Sequence, residues 1–163
     1  MQINIREANQ NDFLEVHKFV STCKPLENYF EHFYKIMLRY FGNTCFIAEH
    51  ENKIVGYLMG IKSQTHESTY FLWKIGVSPS MQGKGIGRLL LERAENKVRD
   101  IGLKRIEVTI DPENTPSKKL FESMGFNNIS LKEGVTVKVN GNIAVKDYYR
   151  PGRHFMLYEK WLR

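Results

Sequence analysis

Between Gln82 and Arg88 the chain reads QGKGIGR, with three glycines at alternate positions and two cations set among them. The apolar run TYFLWKIGV precedes it and a helical pattern of apolar residues follows. A strand, a glycine-rich turn and a helix start, in that order, bring unpaired N–H groups and the positive end of a helix dipole to one spot. Glycine lets an anionic oxygen reach that spot without meeting a Cβ. The chemistry is that of a pyrophosphate cradle, with Lys84 and Arg88 adding charge-assisted contacts at its rim. A tight turn without a ligand is the plainer reading, but one turn seldom needs three alternating glycines.

Two nucleotide motifs fail here on residue identity. The phosphate loop of nucleoside triphosphatases needs Gly-Lys followed by Ser or Thr, and Gly83-Lys84 is followed by Gly85. The dinucleotide fingerprint started at Gly85-Ile86-Gly87 requires Gly or Ala where Leu90 stands.

The elements that must position this turn follow from periodicity. INIREA (3–8) reads as a strand, and from Asn11, a candidate cap, Phe13, Leu14, Val16, Phe19 and Val20 recur at helical spacing. After a break at Lys24-Pro25, a second helix is predicted from Tyr29 to Phe41, ending at Gly42-Asn43. CFIAEH and KIVGYLMGI form a hairpin about Glu51-Asn52, and TYFLWKIGV extends the meander. Ile86, Leu90, Ala94, Val98 and Ile101 give a long helix one apolar face up to Gly102. KRIEVTI is the next strand; DPENTPSKKLFESMGF holds a loop and a short helix with Pro116 in its first turn, closed by Gly125. Asn140-Gly141 places a two-residue hairpin in VTVKVNGNIAV, and HFMLYEKWL is the final strand.

At 163 residues, with 42% hydrophobic and 12% aromatic content, the chain suits one domain over 1–163, with 127–152 as a hairpin excursion. No apolar run approaches the roughly 20 residues of a membrane-spanning helix, and Met1-Gln2-Ile3-Asn4 lacks a signal pattern, so a cytoplasmic protein is expected. Cys23 and Cys45 form neither a zinc spacing nor a disulfide framework, and the five histidines are scattered, so no metal is expected. A net charge of +6 suits a polyanionic partner. With the cradle, that partner is expected to be a small molecule and not nucleic acid or membrane; a homodimer stays open.

Gln82-Gly83-Lys84-Gly85-Ile86-Gly87 resembles the Q/R-x-x-G-x-G/A signature of the GNAT superfamily of acetyl-CoA-dependent N-acetyltransferases, with Val77-Ser78-Pro79 at the usual distance before it. Asn114, Ser117, Leu120-Phe121, Gly125 and Phe126 resemble that family's second cofactor motif. The resemblance implies an α/β (α+β) fold: a mixed, mostly antiparallel sheet of six to seven strands, about four flanking helices, and a splay between strands 4 and 5 that admits the pantetheine arm. It implies that backbone groups of Ile75, Gly76 and Val77 hold that arm, and that Gln82, Gly83, Lys84, Gly85, Ile86, Gly87 and Arg88 surround the pyrophosphate. Asn114, Ser117 and Phe121 would contact the cofactor, acetyl-CoA, and Lys118 or Lys119 its 3′-phosphate.

Acetyl transfer to an amine needs a neutral nitrogen, a stabilised oxyanion and a proton for the leaving thiolate. The Val77 N–H suits the oxyanion. In this family a Tyr usually protonates the thiolate, but Phe121 stands at the matching position. Tyr148, Tyr149 and above all Tyr158 are the candidate substitutes, with water, or an unassisted departure of the thiolate, as the alternatives. Glu27, Glu31 and Glu67 are candidate bases. Residues 26–49 resemble the diaminobutyrate acetyltransferases of ectoine synthesis, with Glu27, Tyr34 and Trp73 as the implied substrate contacts. His154-Phe155-Met156 before Leu157-Tyr158, where those enzymes carry acidic residues, and the Asn140 hairpin depart from that pattern. The expected substrate is a small diamine or amino acid; a protein lysine or N-terminal acetyltransferase and a non-catalytic CoA-binding module are the rival readings.

Overall fold

The structure is a computed structural model that describes residues 1–24 and 26–163; the break expected at Lys24-Pro25 lies in part outside the described residues. The chain forms two compact units, Met1–Leu103 and Lys104–Arg163. Among the described residues there are nine strands and four α-helices. No helix among them is long and apolar enough to cross a membrane, and no group of three or more His, Cys, Asp or Glu side chains is placed to hold a metal ion.

In the first unit the strands β1 (Asn4–Glu7), β2 (Phe46–His50), β3 (Lys53–Lys62) and β4 (Thr69–Val77) pair in chain order, all antiparallel. Alternation sends Ile47, Tyr57 and Met59 to one face. There they meet Val16, Phe19 and Val20 of α1 (Phe13–Val20) and Tyr34, Met37 and Leu38 of α2 (Glu31–Phe41). The spacing of those helical residues, three and four apart, is what gives each helix one apolar stripe. The cap expected at Asn11 lies two residues earlier: Asn9 accepts from the Asn11 N–H, and Asp12 answers with a bond to the Asn9 N–H.

On the other face lies α3 (Ile86–Asp100), whose Ile86 and Leu90 face Gly56 of β3. It ends where Gly102 predicts, with Leu103 N–H bonding to Val98 O at 2.9 Å in a left-handed closing turn. This packing fixes the direction in which the first turn of α3 points.

In the second unit β5 (Arg105–Ile110) pairs with β9 (Arg153–Trp161), β9 with β8 (Asn142–Arg150), and β8 with β7 (Thr136–Val139), again antiparallel. Asn140 and Gly141 both take positive φ, as a two-residue hairpin turn requires. The short helix α4 (Thr115–Ser123) precedes β6 (Asn127–Asn128), which pairs with β9. Nine strands replace the six to seven expected. Asn127–Asn128 is too short to show any alternation, and its pairing depends on β9, thirty residues further on.

Candidate functional site

The turn from Val77 to Ile86 is built by main-chain geometry. One 3₁₀ turn, Pro79–Met81, follows β4, and Gly83 and Gly85 then take φ of 76° and 82°. These values are costly for a residue with a Cβ. A Cβ on either would meet nothing within 4 Å, so open space and not crowding surrounds them. Gly85 caps α3 without a side-chain bond. Among the described residues, the N–H groups of Gly83, Lys84, Gly85, Ile86 and Gly87 donate to no protein acceptor. Ile86 is buried and anchors the helix, while Gln82, Lys84 and Arg88 are exposed. Gln82 turns its amide back to Val77 O at 3.4 Å.

The register of β4 decides which way its backbone points. Ser78 N–H bonds to Val55 O at 2.8 Å, so alternation makes Gly76 and Lys74 the next hydrogen-bonded positions toward β3. Ile75 and Val77 therefore aim their N–H and C=O groups away from β3. Val77 O already receives Gln82 and a long contact from Cys23 Sγ at 3.8 Å.

A register shift at Met59/Gly60 leaves Trp73 as an extra residue between Leu72 and Lys74. The bulge brings Trp73 and Lys74 both to Tyr29: Trp73 Nε1 donates to its hydroxyl at 3.3 Å, and Lys74 Nζ lies 4.7 Å from its ring centre. Phe33 and Phe71 complete the aromatic group around Trp73. Glu27 is exposed on the same loop, and its carbonyl accepts from Lys74 Nζ. Tyr34, expected to line the substrate pocket, is a core residue with no exposure. Burial pushes its hydroxyl up to about 12, and it donates to Asn28 Oδ1 at 2.7 Å. It shapes the loop from beneath.

In the second unit, Asn114 caps α4 by accepting from Ser117 N–H at 3.2 Å, leaving its Nδ2 amide without a partner among the described residues. Lys119 is exposed, whereas Lys118 is committed to Asn142 Oδ1 at 2.7 Å. Phe121 is fully buried against Phe126, ring centres 5.0 Å apart, so the ring is core and not a surface contact. Tyr158, the expected thiolate acid, is buried too and donates to Glu122 Oε2 at 2.8 Å. Burial and that carboxylate raise its pKa, which makes it a weaker acid than a free tyrosine.

A model of the acetyltransferase (GNAT) family matches residues 8–126, most of the chain. The chain belongs to that family. This GNAT acetyltransferase is 28% identical over 121 residues to the L-2,4-diaminobutyric acid acetyltransferase of Vibrio cholerae, covering 73% of this chain and 69% of that protein. To the enzyme of the same name from Chromohalobacter salexigens it is 30% identical over 121 residues, covering 74% and 63%. Its fold is similar to that of diaminobutyrate acetyltransferase EctA from Paenibacillus lautus, solved with L-2,4-diaminobutyric acid and coenzyme A, at a TM-score of 0.77 and 23% identity over 97% of this chain and 93% of that one. Membership makes the chain an acetyl-CoA-dependent N-acetyltransferase.

Sequence reasoning missed three residues of this GNAT acetyltransferase: Asn28, Tyr29 and Lys74. Lys74 carried a signal, since a cation inside the apolar run FLWKIGV must find a partner or leave its charge. Asn28 and Tyr29 carried none, because their partners lie on α1, α2 and β4.

Proposed function

We propose that this acetyltransferase moves an acetyl group from acetyl-CoA to the primary amine of a small molecule, a diamine or amino acid of the diaminobutyrate kind, by direct transfer in a ternary complex, the whole chain serving as one acetyltransferase domain. The observation that carries the reading is the open turn at Gly83 and Gly85, with five consecutive N–H groups that find no acceptor among the described residues.

In this reading those N–H groups receive the pyrophosphate, and Lys84 and Arg88 supply countercharge at the rim. Ile75 and Val77, turned away from β3, hold the pantetheine arm, and the Val77 N–H faces the oxyanion of the tetrahedral intermediate. Asn114 through its amide, Ser117 and Lys119 keep the cofactor contacts that the family pattern implies. Glu27 draws in the cationic amine, with Tyr29 and Trp73 walling the approach, and takes up its proton directly or through water. Water protonates the leaving thiolate, since an alkyl thiol, for which cysteine's pKa of about 8.5 is a guide, is mostly protonated at neutral pH.

The test is thiol release from acetyl-CoA over a panel of diamines, diamino acids and peptides. Turnover with small amines and not with peptides is expected. Peptide turnover would move the assignment to a protein acetyltransferase, and CoA binding without turnover of any amine would leave a binding module.

A further inference from the structure

The segment joining α1 to α2 is held by side chains. Asn28 Oδ1 accepts from its neighbour's N–H at 2.9 Å and from the Tyr34 hydroxyl, while Asn28 Nδ2 donates to His17 O at 3.2 Å. Leu26 and Cys23 lie against Gly76, where a Cβ would come within 2.7 Å of Leu26 Cδ1. The absence of a side chain at 76 lets this loop close onto β4. The tie nearest Glu27 is Lys74, which reaches out of β4 to the Glu27 carbonyl with its ammonium over the Tyr29 ring. Lys74 is only 6% exposed, a placement that costs an ammonium several kcal/mol unless it is matched.

The carbonyl, the ring and the nearby Glu27 charge together form that match. We propose that Lys74 is a positioning residue for the amine: it pins the main chain at Glu27 to β4, beside Trp73, and so fixes where the Glu27 carboxylate stands for an incoming cation. The proposal rests on the reading that Glu27 receives the amine.

The groups turned toward Lys74 are Glu27 and Tyr29 from the loop and Cys23 from the turn after α1, while Met59 opposite it on β3 is uncharged. Burial brings the Lys74 pKa down to about 8, against opposing pulls from Glu27 and Cys23. Below that pH the tie is charge-assisted. Above it a neutral amine is left, with a bond roughly half as strong.

The experiment measures kcat and both KM values for wild type, Lys74→Arg and Lys74→Met between about pH 6.5 and 9.5. Taking wild type against Lys74→Arg, whose guanidinium stays charged, cancels the titration of the substrate and of Glu27. That ratio of amine KM values should climb as pH passes about 8. Lys74→Met should raise the amine KM about tenfold at neutral pH and hold acetyl-CoA KM within about twofold. A flat ratio, or equal damage to both KM values, overturns the proposal. Should Lys74→Met not fold, the wild-type to Lys74→Arg ratio alone decides. A wild type that binds CoA and turns over no amine brings down the underlying reading, and this proposal with it.

Discussion

Two regions beside the C-terminal half of β4 are built in contrary ways, and under the proposed function each holds a ligand. The turn at 83–87 is bare: glycines at positive φ, no capping side chain, and amides without acceptors among the described residues. The loop at 26–30 is crowded, with Asn28, Tyr29, Tyr34, Trp73 and Lys74 tied to one another and to main-chain carbonyls. The first region is made by removing side chains, so an addition there meets no neighbour and should act on a ligand, at the backbone cost of a left-handed φ. The second is made by accumulating them, so a loss there should blunt recognition by degrees.

The largest effect is expected at Gly85. Gly85→Glu should cut CoA affinity by more than about 100-fold, through a carboxylate set against the pyrophosphate and a φ that only glycine adopts freely. Space around the site is open, so the variant should keep its far-ultraviolet circular dichroism. Calorimetry that finds CoA binding undiminished would remove the contrast at its root.

The same contrast explains what could be read in advance. The open turn at 82–88 was legible because glycine spacing is a local cause: the backbone conformation it permits lies within the seven residues that encode it. The hairpin at Asn140-Gly141 and the end of α3 at Gly102 were legible for the same reason. The loop at 26–30 was not, since Asn28 takes its meaning from His17 and Tyr34, and Lys74 from a bulge that only the pairing of β3 with β4 creates. Phe121 and Tyr158 show the limit from the other side. Each belongs to a recognised motif or candidate set, yet burial assigns both to the core.

A smaller effect is expected at Glu27. Glu27→Gln removes one exposed charge without touching the carbonyl that Lys74 holds. The amine KM should rise about tenfold, as for a hydrogen bond that loses its charge, with acetyl-CoA KM unchanged. An unchanged amine KM would take Glu27 out of the pocket and leave the loop a purely structural device.

Lys74 also gives the contrast a thermodynamic reading. Its folded pKa of about 8 lies below its ordinary 10.5, so between those values the unfolded chain binds more protons than the folded one. Stability should therefore rise with pH across that window in wild type relative to Lys74→Met, and the penalty should be fully present below about pH 8. Urea titrations of both proteins at pH 7 and pH 9.5 or so read the difference directly. A gap between them that does not change with pH would mean that the ammonium is solvated.

The smallest effect separates two helix starts. Gly85 leaves the first turn of α3 to a ligand, whereas Asn114 satisfies α4 itself, its carbonyl spent on Ser117 N–H and only its amide remaining. Asn114→Ala should cost about 1 kcal/mol of stability and weaken CoA a few-fold, one effect from each half of the side chain. Asn114→Ser restores the cap but not the amide, so stability should return while the CoA loss persists. If the two quantities instead recover together, the weakened binding came from a frayed helix, and α4 then serves the cofactor through its backbone, as proposed for α3.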